Sequence, residues 1–238
     1  MDTLHIITPV KDSIDSTRQT IAAVSQSALD IPFSFTVFND YSSEENTAIL
    51  QQLSQEYHFD LVNIKDLTDH PSPNYRLTLQ IAQERALAED AYLLLVESDV
   101  VVQPDTLQTM YQYAKSYEKA GMVAAVTVDE KGDINFPYLY ARKWPRCTHK
   151  TNKRLSFCCT LLTPAFLKAI DFHELDPEKN WYDVFISHQS CALGFDNFLM
   201  CDKTVLHRPH SSRQWKKLKY THPIKYYWMK LTKGLDKI

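Results

Sequence analysis

Two carboxylates, Glu97 and Asp99, interrupt the aliphatic stretch AYLLLVESDVVVQPD that spans positions 91–105. Runs this apolar form buried strands, and leaving a lone carboxylate there costs several kcal/mol, on the order of a domain's net stability. Residues two apart on a strand point to one face. The pair could therefore meet a divalent cation that compensates both charges. The alternative is an acidic strand end turned toward solvent, and an E-x-D spacing alone leaves both open.

Glycine usage narrows the chemistry. The chain has four glycines, Gly121, Gly132, Gly194 and Gly234, so none lies in the first 120 residues. Phosphate-cradling loops of the Walker or Rossmann type need glycines where the backbone approaches phosphate. Those routes are excluded, and any nucleotide must be held by side chains or a metal.

The elements that would position the acids follow from periodicity. At 238 residues with 44% apolar and 23% charged composition, the chain reads as one large soluble domain with a tail. Strands are expected at 5–10, 35–38, 61–64, within 91–105, and at 122–128, 155–163 and 198–206. Between them fall helical patterns. The first runs to about position 28, with Ile14, Ile21, Val24 and Ala28 on one face. A second opens at the S-S-E-E signal of 42–45, and a third covers 76–88. A fourth starts at Pro104 and carries Leu107, Met110, Tyr111, Ala114 and Tyr117. Shorter helices are expected after Thr163-Pro164 and from Asp183 to Gly194. Strand–helix alternation of this length predicts an α/β fold with a mostly parallel central sheet flanked by helices. Ligands of such sheets bind beyond the carboxyl ends of the strands, where Glu97 and Asp99 would sit.

Three further segments keep company with the E-x-D. FTVFNDYSSEENT places Asp40 just after the second strand. WYDVFISHQSCALGF puts Asp183 eleven residues before Gly194, and His207 lies thirteen after that glycine, ending VLH. This order resembles the family 2 glycosyltransferases of the GT-A fold. Their pattern runs from a first strand ending in Pro through D-x-S and D-x-D to E-D, a glycine and a terminal V-x-H. The resemblance covers positions 3–208.

The resemblance implies a donor site of Pro9, Asp40, Arg76, Glu97, Ser98 and Asp99. Asp40 would accept a hydrogen bond from the base of a nucleoside-diphosphate sugar, commonly uracil; otherwise it caps the turn or helix near Ser42. Asp99 and His207 would hold Mn²⁺ or Mg²⁺ against the diphosphate, and Glu97 would stand near the ribose. A His at a strand end can equally be structural. Arg76 would steady the base or diphosphate, or else be a solvated helix-start residue. Asp183 would be the catalytic base of an inverting transfer, taking the proton of the acceptor hydroxyl. Read as an N-cap it would instead keep a low pKa, although Trp181 and Tyr182 could oppose that by desolvation. Tyr182 and Phe185 stand where the family usually has Glu and Asp, which leaves a non-catalytic nucleotide-sugar or membrane-binding module as the rival reading. A nucleotidyltransferase is disfavoured because TPVKDSIDS lacks a glycine-rich loop.

The expected organisation is a glycosyltransferase domain over 1–208, with a nucleotide-binding half (1–103) and an acceptor half (104–208), then a basic tail over 209–238. Of the 26 Lys/Arg, nine fall in 207–238 against one acid, leaving 17 basic and 28 acidic residues before it. Pro223 should open a helix with Ile224, Tyr227, Trp228 and Leu231 on one stripe and Lys225 and Lys233 off it, flanked by Lys230. Such a stripe suits an anionic membrane surface contacted through 213–238, or it docks on the protein's own sheet. Nucleic acid is not an expected partner; a glycan or lipid-linked acceptor is. HRPHSSRQW, over 207–215, is expected to close over the donor. The five cysteines read as reduced thiols, not as a disulfide frame or a zinc site. With no signal peptide or membrane span in the sequence, a cytoplasmic protein is expected, peripheral at the inner membrane face.

Overall fold

A computed structural model describes residues 2–179, 181–208 and 222–232. The first half alternates as the periodicity predicts: β1 (Leu4–Val10), α1 (Ile14–Ser25), β2 (Phe33–Asn39), α2 (Glu44–Tyr57), β3 (Asp60–Asn63), α3 (Tyr75–Ala88) and β4 (Tyr92–Val96). A two-residue strand, β5 (Val100–Val101), follows, then α4 (Thr106–Ser116) and β6 (Ala120–Val128). The second half holds β7 (Thr148–Lys150), β8 (Cys159–Leu162), α5 (Pro164–Ala169), α6 (Tyr182–Ala192) and β9 (Asp196–His207). A helix at Pro223–Thr232, here α7, lies in the tail.

The central sheet runs β3-β2-β1-β4-β8-β6-β9-β5, with β7 paired to β9. β1 to β4 are mutually parallel, and β6 pairs β9 in parallel. β8 enters antiparallel between β4 and β6, so the sheet is mixed in its second half. Leu93 and Leu95 of β4 join one core with α3, α5 and α6, while Leu94 and Val96 join the opposite core with α1, α2 and α4. A strand buried on both faces needs this continuous apolar run, which explains why LLLV shows no polar alternation.

Local chemistry sets the boundaries. Ser43, not Ser42, caps α2 by accepting the Asn46 amide; Ser42 Oγ instead accepts the backbone N–H of Asp12. The strand expected over 155–163 is shorter because 155–158 form the approach to β8. Pro104 precedes α4, its carbonyl accepting the Ala28 amide. α6 ends in a Schellman arrangement, Phe195 N–H to Ser190 O and Gly194 N–H to Cys191 O, with Gly194 at φ +86°. Gly121 on β6 admits that corner: a Cβ there would lie 2.7 Å from Phe195 Cβ.

Candidate active site

The carboxyl ends of β1, β2 and β4 form one edge. Pro9, half-buried near the end of β1, stands in register with Phe38 of β2. Asp40 follows β2, its amide donating to Val10 O. The buried Asp40 carboxylate accepts from Ser72 Oγ (2.7 Å), Asn74 N (2.9 Å) and Asn74 Nδ2 (2.8 Å). It does not cap α2, as the alternative reading had it; it pins the loop that leads into α3. Three bonds on two oxygens leave carboxylate lone-pair capacity for another donor.

Glu97 and Asp99 do not lie on a strand. β4 stops at Val96, and the Val100 amide donates to Glu97 O, closing a turn over positions 97–100. Strand alternation was therefore the wrong reason for their convergence; the turn brings them together. β5 then pairs antiparallel with the end of β9, setting Val100 opposite His207, and Arg208 N–H donates to Asp99 O. His207 Nε2 lies 3.5 Å from Asp99 Oδ2, both residues buried. Its Nδ1–H donates to Phe136 O at 2.7 Å, which aims Nε2 at the acids. Ser98 is buried within the turn.

Electrostatics mark the cluster. Burial and the neighbouring Asp99 push Glu97 up to about 7. Burial disfavours a charged His207, yet the hydrogen bond and charge of Asp99, with Glu97, raise its pKa overall. Cys158 completes the group. Val96 pairs with Cys159 across β4 and β8, so Cys158 sits beside Glu97, whose amide donates to Cys158 O. Its Sγ–H donates to Glu97 Oε2 at 3.1 Å, and burial holds the thiol well above its usual pKa. One ligand atom each from Glu97, Cys158 and His207 lie within 4.8 Å of one another. Carboxylates and one imidazole, partly shielded from water, suit a divalent cation such as Mn²⁺, with Mg²⁺ less at ease beside imidazole.

Asp183 occupies the first turn of α6 rather than its N-cap, and its Oδ1 accepts the Val184 amide at 2.9 Å. Burial raises its pKa against the hydrogen bonds from Val184 and Ser156 and the charge of Arg154. Desolvation therefore outweighs these hydrogen bonds and the Arg154 charge. α6 is held in place by Ser187, whose Oγ accepts the Leu155 amide, and by Asn197, whose Nδ2 donates to Ser187 O. Tyr75, at the start of α3, places its hydroxyl where Glu97, Asp183 and Cys158 all raise its pKa, after burial as the main cause. That hydroxyl is buried with no hydrogen-bond partner among the described residues. Arg76 donates from Nη2 to His173 O, which braces the segment before α6. Tyr182 is buried with its hydroxyl on Asp176 O, and Phe185 is exposed.

The sequence matches the model of the family described as Glycosyl transferase family 2 over residues 5–173. The chain belongs to glycosyltransferase family 2. Solved structures with the GT-A fold agree. A mannosyltransferase from Pyrobaculum calidifontis, PcManGT, in complex with GDP-Man and Mn²⁺, superimposes at TM-score 0.64 and 11% identity, covering 96% of this chain and 64% of that one. S. aureus TarS (residues 1–349) in complex with UDP-GlcNAc gives TM-score 0.66 and 15% identity, covering 97% and 65%. The chain thus spans a little under two thirds of the length of these structures. No curated protein sequence matches it.

Two residues of this family 2 chain's candidate site escaped the sequence reading, Cys158 and Tyr75. Cys158 was legible only as a buried thiol, since β8 reaches β4 through tertiary pairing. Tyr75 follows the S-P-N turn, and nothing in its spacing pointed inward. In α7 the predicted stripe is exposed: Ile224, Tyr227, Trp228 and Leu231 are solvent-facing while Tyr226 is buried. The segment 209–221, expected to close over the donor, lies outside the described residues, as do 233–238. Among the described residues no helix is long and apolar enough to cross a membrane.

Proposed function

We propose that the chain is a metal-dependent, inverting glycosyltransferase that moves a sugar from a nucleoside-diphosphate sugar, read as a UDP-sugar, to a hydroxyl of a glycan or lipid-linked acceptor. The observation that carries this reading is the convergence of Asp99, His207 and Glu97 with Asp183 and the Tyr75 hydroxyl, which has no partner among the described residues, at the carboxyl edge of the sheet. The likeness to structures holding GDP-Man with Mn²⁺ and UDP-GlcNAc supports it.

Residues 1–103 would bind the donor, with Asp40 accepting from the base beside Pro9, and Ser98 and Glu97 near the ribose. Asp99 and His207 would hold Mn²⁺ or Mg²⁺. When bound, such a cation supplies Lewis-acid stabilisation of the diphosphate. Asp183, in the acceptor half, would take the proton of the attacking hydroxyl, and its raised pKa suits a base better than an ordinary surface carboxylate would. The Tyr75 hydroxyl would donate to a ligand oxygen between the acids. Arg76, bonded to His173 O, would act on the donor side indirectly, by bracing the segment before α6. The exposed aromatic stripe of α7, with the basic charge of the tail, supports peripheral attachment to an anionic membrane surface.

A thermal-shift panel of UDP-, GDP- and dTDP-sugars with and without Mn²⁺ tests the reading. Stabilisation by one nucleotide class, dependent on Mn²⁺, is the expected result. No shift with any of them overturns it.

A further inference from the structure

Cys158 belongs to the Glu97–Asp99–His207 neighbourhood, yet sugar transfer leaves it without a task. Its Sγ lies 3.1 Å from Glu97 Oε2 and 4.0 Å from His207 Nε2, and His207 Nε2 lies 3.5 Å from Asp99 Oδ2. A tetrahedral Zn²⁺ spaces its donor atoms about 3.3–3.6 Å apart, given bonds of about 2.0–2.3 Å to oxygen, nitrogen and sulfur. The three separations bracket that spacing, and one ligand atom each of Glu97, Cys158 and His207 lies within 4.8 Å of the others; the Asp99 carboxylate stands outside that group, 3.5 Å from His207 Nε2, and must rotate inward to complete the set. The backbone already holds it: Glu97 N–H donates to Cys158 O, Val100 pairs with His207, and Asn135 Nδ2 donates to His207 O.

We propose that this neighbourhood also accepts a thiophilic divalent cation, Zn²⁺ or Co²⁺, with Cys158 Sγ, His207 Nε2 and the carboxylates of Glu97 and Asp99 as its four ligands. The proposal rests on reading Asp99 and His207 as the metal end of the donor site. On binding, the Sγ proton passes to solvent and a sulfur–metal bond replaces the Sγ–H···Glu97 hydrogen bond. Mn²⁺ and Mg²⁺ favour oxygen donors and leave Cys158 a protonated thiol. A cation with four protein ligands has no open position, the arrangement of structural rather than catalytic zinc. Zn²⁺ therefore excludes the donor diphosphate where Mn²⁺ admits it, and the site discriminates metals by whether Cys158 joins.

Absorption spectroscopy of the full chain titrated with Co²⁺ alone is the test. The expected result is a set of intense visible bands, marking a tetrahedral ion, together with a near-ultraviolet thiolate-to-cobalt charge-transfer band. Cys158→Ser should remove the charge-transfer band and keep visible bands, and Cys158→Ala serves should the serine variant not fold. Two controls are built into the fold. Cys159 contacts Met110 Sδ at 3.7 Å in the core, and Cys147 lies 3.4 Å from His149 Nε2 at the surface. The band must survive Cys159→Ser and Cys147→Ser; its loss in either overturns the assignment to Cys158. Visible bands without charge transfer in the unaltered chain overturn the role of Cys158 and leave the donor-metal reading standing. No cobalt bands at all overturn the four-ligand site, while the donor-metal reading is judged separately by Mn²⁺-dependent binding of the nucleotide sugar. Calorimetry of UDP with the Mn²⁺-loaded chain, repeated after equimolar Zn²⁺, should show at least a tenfold loss of affinity; unchanged affinity overturns the exclusion.

Discussion

Asp99 and His207 face each other at 3.5 Å because β5 and the end of β9 run antiparallel, with Val100 set against His207. The pairing converts an E-x-D turn and a distant strand end into one ligand pair. Substituting Asp99→Ala removes one buried negative charge and a ligand while leaving the β5–β9 backbone bonds intact. Mn²⁺-dependent binding of nucleoside diphosphate should fall below detection by calorimetry while the melting temperature holds. Unchanged affinity would rule Asp99 out as a ligand.

Asp183 separates a cap from a base. Burial raises its pKa, so the folded state binds the proton more tightly than the unfolded chain. Its ionised form is therefore a burden that sets in as pH rises from the unfolded pKa through the folded one. Asp183→Asn should keep or raise the melting temperature at neutral pH, leave donor binding intact, and lower transfer roughly 10²-fold or more. In the unaltered enzyme the acidic limb of kcat/KM should lie above the ordinary carboxylate range, with activity lost as pH falls through it. A destabilised variant with near-normal turnover would point back to a helix-end role.

Asp40 carries a structural load beside its proposed contact with the base. Asp40→Ala strips acceptors from Ser72 Oγ and from both Asn74 donors. The loss should cost about 1–3 kcal/mol in denaturant unfolding and weaken donor binding as well. A stability matching the unaltered chain would show that the loop into α3 does not depend on this anchor.

The tail makes a separable claim. Ile224, Tyr227, Trp228 and Leu231 are exposed on α7, which leaves the predicted stripe available to a surface rather than docked on the described sheet. The full chain should co-sediment with anionic vesicles at low salt and release as salt rises, at about 1 kcal/mol per lysine near the surface. A chain ending at Arg213 should not sediment. Equal binding by both chains, or by neither, would remove the membrane assignment.

Sequence periodicity by itself determined the layered architecture. The LLLV run, short and bounded by polar residues, reads as a strand covered on both faces, and the helical stripes supply the covers. It also determined the neighbourhood of the site, because Asp40 and the E-x-D each follow a parallel strand and so reach the same edge. Tertiary structure alone decided the rest. Whether Glu97 and Asp99 meet depended on a turn, since β4 ends at Val96 and strand alternation never reaches them. Cys158 entered the cluster because β8 runs antiparallel to β4, a pairing that local pattern does not encode. Arg76 meets His173 O, a partner supplied by the packing of α3 against the segment before α6 and not by local pattern. Asp183 stands as a carboxyl of raised pKa for the same kind of reason. The place of Asp183 at a helix start is local and legible in the chain, whereas the burial that raises its pKa is assembled only when α6, positions 154–156 and α3 come together.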